Sequence, residues 1–194
     1  MSHPASSGGM TLAQTLGTFA AQWSASDLPA LALERAKMSL ASTFSSTAMG
    51  VRIESARIIR ELERSLVTHG TSSLWFEPGR LPADRAARVN ALASDAAASD
   101  DSDLRSIAHI GTIVSSTGVA MAERLGSSGR DLLAAMVIGY EVAGRVDEAL
   151  TPGRMQRGFH GSVSTIFGGA VTTGRLLGLD AAHMAQAIAI AATS

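Results

Sequence analysis

A run of acidic residues followed by a histidine is one of two places in this sequence suited to proton transfer. Asp100, Asp101 and Asp103 cluster with Ser102, and His109 follows Asp103 by six residues. Clustered carboxylates raise one another's pKa, which suits one of them to proton transfer near neutral pH. The same pattern is typical of a solvated acidic turn, and a lone loop histidine is more often a surface residue. The residues alone leave both interpretations open.

The second place is His160, which lies between Phe159 and Gly161 and leads into an apolar, glycine-rich segment. Arg157 precedes it, and an arginine can bind a carboxylate through two parallel hydrogen bonds. These flanking residues favour a functional histidine in a loop that also contains Ser162. The alternative is a histidine that satisfies backbone groups at the start of a helix.

Several other kinds of site are disfavoured by composition. The sequence has no cysteine, which excludes disulfides, thiol catalysis and thiolate metal sites. Lys37 is the only lysine, so a Schiff base on this chain is improbable. The aspartates and His109 offer oxygen and imidazole ligands, but their spacing is not diagnostic of a metal site. We therefore predict no metal and no other cofactor.

The charge pattern bears on partners and location. The net charge is −1 and the two signs are interspersed, which predicts no nucleic-acid partner and no anionic membrane surface. The N-terminus lacks a basic segment followed by an apolar core, so no signal peptide is predicted. No apolar run approaches the roughly 20 residues needed to span a bilayer. A cytoplasmic protein is the expectation.

The elements that must position these side chains are predicted to be helices. Apolar residues make up 46% of the sequence and aromatic residues only 4%, which favours closely packed helices over a bulky sheet core. Helical spacing predicts an all-α fold of about seven helices over residues 10–194, after a disordered tail at residues 1–9. At most one short strand is expected, at residues 74–76. Thr11, Ser162 and Asp180 are predicted helix caps, and Gly178 is a predicted helix stop.

The segment at residues 157–180 resembles the MmgE/PrpD family, which includes 2-methylcitrate dehydratase, cis-aconitate decarboxylase and iminodisuccinate epimerase. It reads Gly-Phe-His, small residues, Phe-Gly-Gly-Ala and Leu-Leu-Gly-Leu, and residues 139–142 (Gly-Tyr-Glu-Val) extend the likeness. The resemblance implies a lyase or isomerase of small polycarboxylates. Its predicted catalytic residues are His109, His160, Asp100 and Asp101, and its predicted substrate-binding residues are Arg157, Ser102 and Ser162.

The sequence departs from the family pattern at several positions. Asp95 stands where the family has a histidine, and Ala98 stands where the family has a leading aspartate implicated in catalysis. His109 is followed by Ile110 and Gly111, where the family has proline and serine. These differences put the standard family activity in doubt.

The resemblance also implies a homodimer and a longer protein. The C-terminal residues are still in helical register without a glycine stop, so the chain is predicted to be incomplete there, or completed by a second polypeptide. Because the family's remaining basic residues come from that second half, the isolated chain is predicted to be inactive. The alternative is a non-catalytic helical subunit or relic that pairs with another chain. For an enzyme, His109 and His160 must converge on one cleft.

Overall fold

The fold is known from a computed structural model, which describes residues 9–105, 107–151, 153–159 and 162–193. Within those ranges the chain is almost entirely helical, which confirms the predicted all-α class. The helices are α1 (Leu12–Gln22), α2 (Ala30–Gly50), α3 (Glu54–Leu66), α4 (Ala83–Ala96), α5 (Ile110–Leu125), α6 (Gly129–Leu150), α7 (Thr165–Leu176) and α8 (Ala181–Ala191). His160 and, apart from Gly9, the predicted tail at residues 1–9 lie outside the described residues.

Two of the predicted helix caps are confirmed. Thr11 forms a capping box with Gln14 at the start of α1, in which each side chain accepts from the other's backbone N–H. Asp180 caps α8 by accepting the backbone N–H of His183 at 2.9 Å. Gly178 ends the preceding helix with a φ of +68°, in the left-handed region that favours glycine.

The third predicted cap is wrong. Helix α7 begins at Thr165, with Ser164 rather than Ser162 at the N-cap position. The Ser164 hydroxyl makes no capping bond, because it donates instead to the buried carboxylate of Asp147 at 2.6 Å. Ser162 contributes its backbone carbonyl, which accepts from the Thr165 amide and hydroxyl.

The predicted strand is displaced. Two-residue strands β1 (Ser72–Ser73) and β2 (Arg80–Leu81) pair in an antiparallel hairpin, whereas residues 74–76 begin its turn. Phe76 has a φ of +59°, which no strand residue adopts. Trp75 is buried there, and its backbone N–H donates to Asn90 of α4 at 3.0 Å. A tertiary contact therefore overrides the strand propensity of these aromatic residues.

Close helix packing explains the glycines of α7. A methyl group added at Gly168 would lie 3.0 Å from Val114 and 3.2 Å from Ala143, so α7 lies directly against α5 and α6. The contact is reciprocal, because a methyl group at Gly139 of α6 would meet the Gly168 carbonyl at 2.7 Å. The glycines thus allow three backbones to approach, as predicted. Among the described residues, no helix has both the length and the apolar character required to cross a membrane.

Candidate functional site

An aspartate–histidine pair lies in the segment between α4 and α5. The Nδ1 atom of His109 is 3.1 Å from Oδ1 of Asp100. The Asp100 side chain is fully buried, whereas the His109 side chain is 36% exposed. An ionised carboxylate can only accept hydrogen bonds, so the Nδ1 atom carries the proton in this contact. In the neutral form of the ring, Nε2 is then an acceptor. The pair therefore presents an oriented imidazole with one nitrogen available for proton transfer.

The other oxygen of Asp100 is fixed by a chain of hydroxyl groups. The Thr112 hydroxyl donates to Oδ2 of Asp100, and the Ser94 and Thr112 hydroxyl oxygens are 3.1 Å apart. Because Thr112 uses its proton on the carboxylate, Ser94 donates to Thr112. Ser94 and Thr112 are buried. The carboxylate is thus held by α4 and α5 together, and it in turn holds the histidine ring.

The local backbone explains why this contact forms. His109 occupies the N-cap position of α5 but makes no side-chain capping bond, so its ring is directed to Asp100 instead. Ala98 has a φ of +48°, and its amide donates to the Asp95 carbonyl at 2.9 Å. This left-handed residue ends α4 and reverses the chain toward α5. The resulting turn places the end of one helix beside the start of the next.

His109 borders a cavity of about 340 Å³. Its polar lining residues come from α4, from α5 with the residue that precedes it, and from the start of α7 with the segment before it; they are Arg88, Asp95, His109, Thr112, Ser162 and Thr165. Ser162 is two residues from His160 in sequence. The structure therefore brings His109 and Ser162 to one cavity. His160 lies outside the described residues, and its place in the site stays a prediction.

The two neighbouring aspartates face opposite sides of the α5 N-terminus. Asp101 and Ser102 line a separate cavity of about 660 Å³ against α2 and α6, where the Ser39 hydroxyl donates to Asp101 at 2.6 Å. Burial raises the pKa of Asp101 above its ordinary value against the lowering effect of the Ser39 bond, and the nearby Asp100 charge adds to the increase. The sequence predicts that a neighbouring carboxylate raises the pKa of Asp101, but burial is the larger cause of the increase.

Tyr140 lines the same second cavity as Asp101. Burial is the main cause that raises the pKa of its phenol, and the charges of Asp101 and Asp103 raise it further. Gly111 allows Asp101 to lie against the first turn of α5, because a methyl group at that glycine would be 2.0 Å from Oδ1. Asp101 and Ser102 are therefore beside the His109 cavity but do not line it, and their catalytic and binding roles stay predictions.

Arg157 is held at the end of α6. Its guanidinium donates to the Leu150 carbonyl at 2.8 Å and lies 6.0 Å from the centre of the Phe159 ring. A cation is favoured beside the last carbonyls of a helix, so this contact stabilises the α6 C-terminus. The residues that line the His109 cavity do not include Arg157, and its role in substrate binding stays a prediction.

Arg88 was missed by the sequence argument, although it borders the His109 cavity. One of its nitrogens is 2.9 Å from the buried carboxylate of Glu63, which Arg85 also contacts, and the Arg88 side chain is 65% exposed. Arg88 and Asp95 are seven residues apart, which is two helical turns and therefore the same face of α4. That spacing could have predicted Arg88 as a site residue, because Asp95 aligns with a histidine of the family pattern.

A buried ion pair fixes the segment between α6 and α7. Arg154 lies 2.7 Å from Asp147, and both side chains are almost fully buried. The Ser164 hydroxyl donates to the same carboxylate oxygen at 2.6 Å. The two ends of the segment that contains Arg157 and Ser162 are therefore tied to one point on α6.

A known protein family matches most of this sequence. The MmgE/PrpD N-terminal domain matches residues 14–194. The chain belongs to the MmgE/PrpD family. Cis-aconitate decarboxylase of Homo sapiens is 31% identical over 166 residues, which cover 82% of this chain and 34% of that protein. Cis-aconitate decarboxylase of Aspergillus terreus is 28% identical over 174 residues, which cover 86% of this chain and 36% of that protein.

The match confirms one prediction from the sequence and bears on one residue near the site. The MmgE/PrpD resemblance drawn from the sequence is confirmed, and the chain spans about a third of the length of these curated relatives. The residue aligned with the family's leading aspartate, Ala98, has a positive φ of +48°. Aspartate tolerates this conformation better than alanine does, so the family pattern suits the observed backbone.

Proposed function

We propose that this MmgE/PrpD chain contributes the helical half of an active site in a lyase or isomerase that acts on small polycarboxylates. The observation that carries the proposal is the Asp100–His109 pair, buried at the carboxylate and open at the imidazole. The hydrogen bond to Asp100 uses Nδ1 of His109, so Nε2 is available for proton transfer to or from a substrate. The chain's likeness to cis-aconitate decarboxylases supports a tricarboxylate as the substrate class.

For dehydration or epimerisation, the proposed reaction begins with removal of a proton from a carbon next to a carboxylate. Nε2 of His109 accepts that proton, while its Nδ1 proton stays on the Asp100 hydrogen bond. Loss of water then requires an acid that protonates the departing hydroxyl, and epimerisation requires one that protonates the opposite face. Decarboxylation needs no base, because the carbon–carbon bond to the carboxylate breaks, carbon dioxide leaves, and the carbanion that remains takes up one proton. His160 is the proposed acid in each case.

Substrate carboxylates need cationic and hydroxyl partners near these histidines. Arg88 and Ser162 line the cavity with His109, so they can bind one carboxylate while a second lies against the histidine. Arg157 is the further candidate from the sequence. Because the chain covers about a third of its relatives, we propose that turnover requires additional residues, from a continuation of the chain or from a second polypeptide.

Binding of cis-aconitate tests the proposal without requiring turnover. Histidine side-chain NMR of the metal-free chain, titrated with cis-aconitate, should shift the His109 ring signals. His109→Gln should abolish the saturable binding measured by calorimetry. His183→Gln is the matched control, since His183 also pairs with an aspartate, Asp180, at 2.9 Å.

Two results would count against the proposal. One is unchanged affinity in His109→Gln, and the other is no binding of cis-aconitate, 2-methylcitrate or iminodisuccinate at millimolar concentration. Measurable turnover of any of them by the isolated chain would instead refute the requirement for further residues.

The competing proposal is a non-catalytic helical subunit that pairs with another chain, including a second copy of itself. Ala98 in place of the leading aspartate favours it, and so does an exposed apolar stripe on α3 formed by Ile58, Leu62 and Leu66. Such a stripe is typical of an interaction surface. Sedimentation that gives a stable dimer, together with no polycarboxylate binding, would favour this subunit over the enzyme.

A further inference from the structure

A third ligand-bearing side chain lies beside the Asp100–His109 pair. Asp95, in the last turn of α4, brings a carboxylate oxygen to within 4.8 Å of ligand atoms on both Asp100 and His109. The sequence predicts no metal at His109 and the aspartates of residues 100–103, because their spacing is not diagnostic. In the structure Asp101 lines another cavity. The set that converges is therefore two carboxylates and one imidazole from two different elements.

The distances suit a divalent transition metal ion. Ligand atoms at about 2.1 Å from a tetrahedral ion lie about 3.4 Å apart. The Asp100 and His109 atoms are 3.1 Å apart, so this pair already has nearly the required separation. Asp95 is exposed and lies at the end of a helix, so its side chain can close the remaining gap by rotation.

Hydrogen bonds from neighbouring hydroxyl groups fix the Asp100 carboxylate, as is usual for a metal ligand. Thr112 donates to its second oxygen and Ser94 donates to Thr112, so the first oxygen is held at His109. Ligands fixed in this way bind metals more tightly than free side chains do. The adjoining cavity of about 340 Å³ leaves room for water or a carboxylate at a fourth position.

We propose that Asp95, Asp100 and His109 form a binding site for Zn²⁺ or a similar divalent transition metal. Imidazole favours such ions over Mg²⁺, which prefers oxygen ligands and retains its waters. The ligand set belongs to this chain, because the family pattern has a histidine rather than a carboxylate at position 95. A metal-bound imidazole keeps a proton on its other nitrogen and cannot accept a second. If the proposed function holds, zinc therefore regulates the site by blocking His109.

Direct zinc binding is the test. The metal-free chain is titrated with Zn²⁺ against a chromophoric zinc indicator at neutral pH, with Asp95→Asn as the main variant. Because Asp95 is exposed, this variant keeps the fold, and its zinc affinity should fall at least about tenfold, as expected for loss of a ligand. Mg²⁺ should not compete.

His183→Gln is the matched control, since the Asp180–His183 pair lacks a third carboxylate among the described residues. Its zinc affinity should equal that of the unsubstituted chain. Equal affinity in Asp95→Asn, or no saturable zinc binding at micromolar concentration, would overturn the proposal. Zinc binding is read without substrate and cis-aconitate binding is read without metal, so either proposal can fail while the other stands.

Discussion

Two aspartate–histidine pairs of nearly equal length occupy very different places in the molecule. Asp100 and His109 are 3.1 Å apart, and Asp180 and His183 are 2.9 Å apart. The Asp100 side chain is fully buried, whereas the Asp180 side chain is 67% exposed. One pair lies in the segment between α4 and α5, beside a cavity, and the other lies at the start of α8.

The difference shows that the pair itself does not make a site. Asp180 accepts the backbone N–H of His183, which is a helix-capping bond, and the ring Nδ1 of His183 lies 2.9 Å from the same oxygen. Asp100 accepts from Thr112 and His109, and neither bond closes a helix. Burial, outer hydroxyl support and an adjoining cavity separate a candidate catalytic pair from a structural one.

The largest expected effect comes from removing the two carboxylates in turn. Asp100→Ala should lower the free energy of unfolding by about 2 kcal/mol, because the buried Thr112 hydroxyl loses its charged acceptor. Asp180→Ala should lower it by less, because the exposed helix start can bind water instead. Urea denaturation of the two variants measures both changes. Equal losses would contradict the distinction between the two pairs.

A reciprocal exchange tests the turns that precede the two pairs. Ala98 has a φ of +48° and Gly178 a φ of +68°, and nothing lies within 4 Å of a methyl group added at Gly178. Ala98→Gly should therefore raise the free energy of unfolding by up to about 1 kcal/mol, and Gly178→Ala should lower it by about 1 kcal/mol. Thermal or urea unfolding checks both. Changes of the same sign would show that backbone strain does not explain the α4–α5 turn.

The smallest effect concerns the pH dependence of the exposed cap. The backbone hydrogen bond from His183 is the main cause that lowers the pKa of Asp180 below 3.8, and the His183 side chain lowers it further. A depressed carboxyl pKa contributes stability above the unfolded pKa, and that contribution is lost as the pH falls through the folded value. The stability difference between the unsubstituted chain and Asp180→Ala should therefore persist at neutral pH and vanish in acid. A difference that persisted undiminished in strong acid would contradict this account of the cap.

Features that depend on neighbours along the chain were predictable from the sequence. The caps at Thr11 and Asp180 and the stop at Gly178 follow from short-range hydrogen bonds and from glycine's access to positive φ. The glycines of α7 correctly indicated close backbone approach. The local residues indicated the candidate histidines, and the family likeness added their predicted catalytic roles, because motif residues carry information that helical periodicity lacks.

Features that depend on contacts between elements were not predictable. Asp100 and Asp101 are adjacent in sequence, yet Asp100 is buried against His109 and Thr112. Asp101 instead lines a cavity between α2 and α6. Arg88 reaches the site only because α4 lies beside α5. Ser164 fails to cap α7 because its hydroxyl bonds to a buried carboxylate from α6. No local pattern encodes these choices.

A crystal structure of the chain grown with cis-aconitate tests the central claim most directly. The account predicts a ligand carboxylate beside Arg88, and the His109 and His160 rings each within about 3 Å of ligand atoms. The Asp180–His183 pair should bind no ligand. A ligand located elsewhere, or a His160 ring on the opposite side of the molecule from His109, would contradict a shared active site.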